Sequence, residues 1–170
     1  MMDCKKALTE AEGDFEKAIE LLRKKGQKVS ASRADRETTE GVVLTKTSAD
    51  SKKGVLIAFT CETDFVAKNE DFVALAKEIL EAAFTHAPAT IDDLLALKSG
   101  SITLGDKVIE NTGKIGEKLA VSAYVVLEGE AVVPYIHSNS KLGVLVALKN
   151  TSGANVVEAG KDVAMQIAAM

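Results

Sequence analysis

The chain has 170 residues, of which 46% are hydrophobic, and its formal net charge at pH 7 is −4. This length and apolar content suffice for one compact domain with a small appendage. The acidic balance and the lack of a basic tail argue against a direct nucleic-acid partner, and the apolar runs are too short to span a membrane.

Two short helices are predicted at the amino terminus, over residues 3–12 and 14–25. The second has one apolar face, which is formed at the i, i+3, i+4 and i+7 positions by Phe15, Ala18, Ile19 and Leu22. Asp14 is predicted to cap this helix and Gly26 to end it. Two helices of this length do not close a core by themselves, so they need a third helix or another surface.

Residues 27–40 are polar and charged, and we interpret them as a linker or a partly helical connector. From Gly41 onward β-branched residues dominate, which indicates the start of a core domain. We predict a first core subdomain over residues 41–130 and the start of a second, incomplete one over residues 131–170. With the helical segment 1–26, this organisation predicts the α+β fold class.

The core contains the same unit twice, at an offset of about 90 residues. Each copy has a strand, a polar turn, a second strand and a helical run, and the first strands begin at Gly41 and Ala131. The second strands, 55–59 and 144–148, are continuous apolar runs of the kind found in central strands covered on both faces. The repeat therefore predicts a duplicated strand-hairpin-helix core with mainly antiparallel sheets.

The helix of the first copy has a buried stripe, which consists of Phe72, Leu75, Ala76, Ile79 and Ala83. Asn69 is predicted to cap its acidic start. Between the copies, residues 91–97 and 102–119 suggest shorter helices, and residues 120–127 suggest a strand. Residues 156–169 are predicted to close the second copy as a helix.

The two copies differ at the turn between the second strand and the helix. The first copy has Thr63-Asp64-Phe65 where the second has Ser152-Gly153-Ala154. Because the scaffold closes one turn with small residues, it does not need Asp and Phe in the other. We therefore interpret Phe65 as an exposed ring that binds a partner, and the alternative is a packed core residue. Asp64 is interpreted either as a cap of the turn or as a group that perturbs a partner's metal site.

The sequence gives no positive support for catalysis, so we predict neither an enzyme nor a cofactor or metal site. Cys4 and Cys61 form no Cys-x-x-Cys pair and no cluster with a histidine, which is typical of reduced thiols. Residues 111–116 have the glycines of a phosphate-binding loop, but Lys114 is not followed by Ser or Thr.

Four segments resemble three signatures of the elongation factor Ts family. Residues 1–8 (Met-Met-Asp-Cys-Lys-Lys-Ala-Leu), together with 19–26, resemble the start of that family's sequence. Residues 63–68 (Thr-Asp-Phe-Val-Ala-Lys) and 141–146 (Lys-Leu-Gly-Val-Leu-Val) resemble its later signatures, in the same order. Since family members carry an additional amino-terminal helix and continue past the position of Met170, we expect the chain to be a fragment.

The resemblance implies a cytoplasmic translation elongation factor that acts as the guanine nucleotide exchange factor of elongation factor Tu. It implies that residues 1–26 are an incomplete ubiquitin-associated-like helical domain. The family segment that displaces magnesium from the partner matches Thr63, Asp64, Phe65 and Val66. Other partner-binding positions match Met1, Met2 and His137.

For some of these residues a structural role is the alternative to partner binding. His137 is expected on a strand face, where a structural role is the alternative, and Met1 and Met2 are alternatively core of the helical domain. At the level of function, the alternative is a helical adaptor or chaperone-like binding module with an oligomerising core. A small α/β enzyme would need a pocket of convergent ionisable groups, and the repeat offers none.

Overall fold

The computed structural model describes residues 2–138 and 140–170, so Met1 lies outside the described residues. In this part of the chain the fold is α+β, with seven helices and seven strands. The helices are α1 (Met2–Glu10), α2 (Phe15–Ser32), α3 (Asp64–Ala67), α4 (Glu70–His86), α5 (Ile91–Ala96), α6 (Leu104–Ile115) and α7 (Val157–Ala169). The strands are β1 (Glu40–Thr47), β2 (Lys53–Cys61), β3 (Lys98–Ser99), β4 (Ile102–Thr103), β5 (Ala120–Glu128), β6 (Ala131–Ile136) and β7 (Gly143–Leu148). None of the helices so described is long and apolar enough to cross a membrane.

The main sheet has the strand order β1-β2-β5, and both pairings are antiparallel. Alternate side chains of β2 point to the same face, and on that face four residues are fully buried: Val55, Ile57, Phe59 and Cys61. Helix α4 covers this face, where the ring of Phe59 stacks on that of Phe72 with centroids 4.6 Å apart. The stripe predicted for α4 is confirmed, since all five of its residues are buried.

The second hairpin, β6-β7, covers the opposite face of the main sheet. A Cβ atom added to Gly54 of β2 would lie 2.6 Å from Cγ1 of Val132, and one added to Gly143 would lie 2.5 Å from Cγ1 of Val43. Strand β2 is thus central and covered on both faces, as predicted. For residues 144–148 only the coverage holds: β7 lies between the main sheet and α7, but it is not central, because among the described residues it pairs only with β6 while β5 completes the first sheet.

Helix α7 closes the second copy on the outer side of its hairpin. Val132 faces the main sheet, and its neighbour Val133 faces α7, where a Cβ on Gly160 would lie 2.5 Å from Cγ2 of Val133. Ala164 of α7 is fully buried. The two hairpin-and-helix units predicted from the repeat are therefore present, and they pack hairpin against hairpin.

Helix α2 does not end at Gly26, as the sequence analysis predicted, but continues to Ser32. Gly26 is buried because α2 packs against α6 at this point. A Cβ atom on Gly113 of α6 would lie 2.6 Å from Cα of Gly26. The glycine therefore permits a close helix crossing instead of forming a helix end, and the first residues of the predicted linker are helical. The domain division itself stays a prediction.

The apolar face predicted for α2 is only partly buried. Phe15 is 72% exposed and Ile19 is 44% exposed, whereas Ala18 is buried. The contact between α1 and α2 is made largely by small residues, with Ala7 and Ala11 of α1 against Ala18. Because the inner face of this helix pair uses alanines, Phe15 and Ile19 point outward, contrary to the prediction, whereas Leu22 packs against the alanines as predicted.

We expect the substitution Gly113→Ala to destabilise the protein by about 1–3 kcal/mol, because the added methyl group would overlap the backbone of Gly26. This exceeds the gain of up to about 1 kcal/mol in helix propensity. Gly26→Ala is the matched control, since its Cβ would come no closer than 3.4 Å to the facing helix. Urea denaturation measures both, and a Gly113→Ala protein as stable as the unsubstituted one would show that the helices can separate at no cost.

Candidate functional site

The candidate site is the turn between β2 and α4, residues 62–68, which we call the corner. The short helix α3 lies within it, and Thr63 is its N-cap residue in an extended conformation. Asn69 then caps α4 as predicted, since its side-chain oxygen accepts hydrogen bonds from the amides of Asp71 (2.9 Å) and Phe72 (3.3 Å). Two helix starts in close succession make the chain turn sharply at this point.

Phe65 is 81% exposed at the corner. Its two successors point the other way: Val66 packs against the main core and Ala67 is buried in it. The exposure excludes the alternative that Phe65 is a packed core residue. A large apolar ring held outward by inward-packed neighbours can serve as an anchor for a partner's pocket.

The backbone before Phe65 is held by the loop that follows α6. The carboxylate of Glu117 accepts hydrogen bonds from the amide of Thr63 (3.0 Å) and from its hydroxyl (2.7 Å). The carboxylate of Glu62 accepts a hydrogen bond from the amide of Lys118 (2.7 Å) in the same loop, and it forms an ion pair with Arg33 (2.8 Å). The bond from the Lys118 amide, with the guanidinium of Arg33, holds the pKa of Glu62 below its ordinary value.

Asp64 does not cap the turn, which corrects one of the two predicted roles. It is the first residue of α3, where no side chain caps the helix, and its carboxylate pairs with Lys68 at 2.8 Å. The hydrogen bond from Lys68 lowers the pKa of Asp64, and the charge of Lys141 acts in the same direction. The carboxylate is about half exposed, so a negative charge lies at the surface beside the Phe65 ring.

The structure brings the described part of the second hairpin's loop, residues 137–138 and 140–142, against the start of the first hairpin near the corner. The carbonyl of Ser140 accepts a hydrogen bond from the amide of Val43 (2.7 Å), and Lys141 Nζ lies 2.5 Å from Oε2 of Glu40. This contact joins the two copies of the repeat. It places the predicted partner-binding loop and the corner in one surface region.

His137 lies in this hairpin loop and not on a strand face, because β6 ends at Ile136. Its ring is exposed, and Nδ1 lies 2.9 Å from the hydroxyl of Tyr135. Met2 lies elsewhere, on α1, where it is 69% exposed. Of the predicted site residues, the structure thus groups residues 63–66 with the loop of His137 and leaves Met2 on the helical pair.

The second copy closes its corresponding corner without a helix. Residues 149–156 form a loop that contains three residues with positive φ: Asn150 (57°), Ser152 (49°) and Gly153 (76°). The carboxylate of Glu130 holds this loop, accepting from the amides of Thr151 (2.9 Å) and Asn150 (3.0 Å). The amide of Thr151 contributes most to lowering the pKa of Glu130. The extra helical turn with its aromatic ring is therefore specific to the first copy.

Cys61, just before the corner, is an unreactive thiol. Its side chain is fully buried and donates to the carbonyl of Thr63 at 3.1 Å. Burial, reinforced by the negative charge of Glu117, raises the pKa of Cys61 to about 11. Cys4 is exposed, and both thiols are free. The chemistry that the corner offers is therefore binding through an apolar ring and surface charges.

Sequence reasoning missed Glu117, Glu62 and Lys118, although these residues fix the geometry of the corner. Glu117 and Thr63 are 54 positions apart in the chain. A carboxylate in a loop after a helix has no local pattern that marks it as the partner of a distant amide. Only the tertiary packing of α6, which contacts α2, α4 and α5, brings the two together.

A sequence model of the family described as Elongation factor TS matches residues 62–170. Over the whole chain, the elongation factors Ts of Amoebophilus asiaticus and Cytophaga hutchinsonii are each 57% identical to it, and that of Christiangramia forsetii is 50% identical. The chain covers 61%, 62% and 61% of these three relatives, so it spans about three-fifths of their length. The family match, which includes the corner with its exposed ring, shows that the chain belongs to the elongation factor Ts family.

Proposed function

We propose that this chain is part of a guanine nucleotide exchange factor that binds elongation factor Tu, displaces its magnesium ion and promotes GDP release. Phe65, with its flanking residues Thr63, Asp64 and Val66, is the segment that enters the partner. The observation that carries the proposal is the 81% exposure of Phe65 at a corner where Thr63, Val66 and Ala67 are anchored.

The physical basis is differential binding. A phenylalanine side chain transferred from water to an apolar pocket stabilises the complex by about 1.5–3 kcal/mol. If that pocket exists only when the partner's phosphate and magnesium loops are displaced, the ring stabilises the displaced state. Coupling between two ligands is reciprocal. The factor by which Phe65 lowers the partner's affinity for nucleotide is therefore the factor by which bound nucleotide lowers the partner's affinity for the exchange factor.

The conformation of the corner supports this role, because the ring is presented before binding. Val66 and Ala67 are packed into the core, and Thr63 is held by the two hydrogen bonds that it donates to the carboxylate of Glu117. Little conformational entropy is then lost when the partner binds, which favours affinity. The carboxylate of Asp64 beside the ring acts on the surroundings of the magnesium ion.

A single ring does not provide the whole binding energy of such a complex. We propose that the hairpin loop with His137 and the helical pair with Met1 and Met2 supply further contacts. His137 and Met2 are both exposed. The helical pair α1–α2 is proposed to be an incomplete ubiquitin-associated-like domain, and its outward-facing Phe15 and Ile19 agree with a further helix or a partner on that side.

We propose that the protein acts by protein–protein contact in the cytoplasm, without catalysis of its own and without direct contact to nucleic acid. The acidic net charge of −4 supports a protein partner more than a polyanion.

A binding experiment with controlled nucleotide tests this function. We expect the immobilised chain to retain nucleotide-free elongation factor Tu and to release it when GDP and Mg²⁺ are added together. GDP with a chelator of divalent ions is the control, and it should release less because the metal strengthens nucleotide binding. Retention that is unaffected by nucleotide would instead support the helical adaptor.

A further inference from the structure

We propose that Glu117 is a positioning residue for exchange: it holds the corner in the conformation that presents Phe65 to the partner. This inference rests on the proposed function of Phe65. Glu117 itself lies in the loop after α6 and is partly buried.

The corner needs an external contact because α3 is too short to hold itself. A single helical turn fixes several backbone angles for very few hydrogen bonds, so its formation is unfavourable in isolation. The N-cap residue, Thr63, makes no side-chain capping bond to α3. Within the turn, the bond from the amide of Ala67 to the carbonyl of Thr63, at 3.2 Å, is a long one.

Glu117 supplies the contact from outside the turn. Its two carboxylate oxygens each accept one hydrogen bond, from the amide and the hydroxyl of Thr63, at 3.0 and 2.7 Å. Hydrogen bonds to an ionised acceptor are stronger than neutral ones. With both donors of one residue bound to one carboxylate, the direction in which the chain enters α3 is fixed two residues before Phe65.

Glu117 is itself held in place by its neighbours. Gly116, with φ of 83°, ends α6 in the left-handed conformation that glycine favours. Lys118 donates its amide to Glu62 at 2.7 Å, and its Nζ donates to the carbonyls of Ala34 and Arg36 at 2.6 and 2.9 Å. Glu117 is therefore fixed on both sides in sequence, as a residue that orients another must be.

Loss of the Glu117 carboxylate is expected to lower the fraction of molecules whose corner is in the binding conformation. If that fraction falls to about a tenth, the concentration needed for half-maximal stimulation of GDP release rises about tenfold. The maximal rate at saturation is retained, because binding to the partner restores the conformation. Phe65→Ala differs, because the ring itself is missing and the maximal rate falls.

The test uses the 170-residue chain with the substitutions Glu117→Ala and Phe65→Ala, alone and combined, and titrates each into elongation factor Tu loaded with fluorescent GDP. Thr63→Val is a second variant that removes only the hydroxyl donor and should give a smaller shift in the same direction. Glu128→Ala, at the exposed end of β5, is the control for loss of one negative charge. Thermal melting by circular dichroism shows that each variant is folded.

The expected result is that Glu117→Ala shifts the half-maximal concentration about tenfold in the presence of Phe65 and has little effect in the Phe65→Ala chain. An equal shift in both backgrounds, or no shift in either, would overturn the role of Glu117 and leave the proposed function standing. Full-rate release by Phe65→Ala would instead overturn the proposed function of Phe65, and this inference with it.

Discussion

Replacement of Phe65 by alanine is expected to slow the release of GDP from elongation factor Tu by roughly 10- to 150-fold. The range follows from the loss of about 1.5–3 kcal/mol of burial energy in the complex, at about 1.4 kcal/mol for each factor of ten. The stability of the chain itself should change by less than about 0.5 kcal/mol, because the ring is exposed to solvent. Stopped-flow measurement with fluorescent GDP gives the rate, and thermal melting gives the stability.

Val125→Ala is a suitable control for the Phe65 substitution. Val125 is an apolar side chain on β5 with 42% exposure, so its truncation also removes apolar surface, but away from the corner. We expect exchange at the unsubstituted rate. If Phe65→Ala also kept the full exchange rate, or if both substitutions lowered the rate by the same factor, the hypothesis that the Phe65 ring inserts specifically would be wrong.

Replacement of Phe72 by alanine is expected to destabilise the fold by about 3–5 kcal/mol. Phe72 is fully buried, and its ring stacks on that of Phe59 at a centroid distance of 4.6 Å. The substitution leaves a cavity between α4 and the main sheet, directly beneath the start of α4. Equilibrium unfolding in urea, followed by circular dichroism, measures the loss.

The two substitutions are therefore expected to have opposite effects, although the residues are only seven positions apart: Phe65→Ala lowers exchange and Phe72→Ala lowers stability. Phe72→Leu serves as the control because it refills most of the cavity, and it should recover more than half of the stability lost in Phe72→Ala. A Phe72→Ala protein with unchanged stability would mean that α4 does not depend on this stacking. Exchange by the fraction that remains folded should be close to normal, in contrast to Phe65→Ala.

The strongest local patterns predicted their elements correctly. The stripe of α4 and its cap at Asn69 follow from helical periodicity and from a side-chain oxygen that reaches the first amides. The two hairpin-and-helix units follow from the repeat. The exposure of Phe65 followed from a comparison within the chain, since the second copy closes its corner with small residues.

The errors arose where one residue type has different roles in different surroundings. Gly26 looked like a helix end, but its lack of a side chain lets α2 approach α6. Phe15 looked like part of a buried face, but Ala18 fills the contact with α1 and leaves the ring in solvent. Asp64 looked like a cap, but Thr63 occupies that position and Asp64 pairs with Lys68.

The amino-acid sequence by itself determined the family, through its resemblance to known signatures. Short-range periodicity and internal repetition, which are properties of the chain alone, determined the two hairpin-and-helix units and pointed to Phe65 at the corner. The sequence did not predict the short strands β3 and β4 or the helical turn α3, and α6 spans Leu104–Ile115 instead of residues 102–119. Only the tertiary structure decided what holds that corner. The hydrogen bonds from Thr63 to Glu117, and from Lys118 to Glu62, join segments more than 50 residues apart. Such contacts depend on how α6 packs against α2, α4 and α5, and packing is a property of the whole fold that no local pattern encodes.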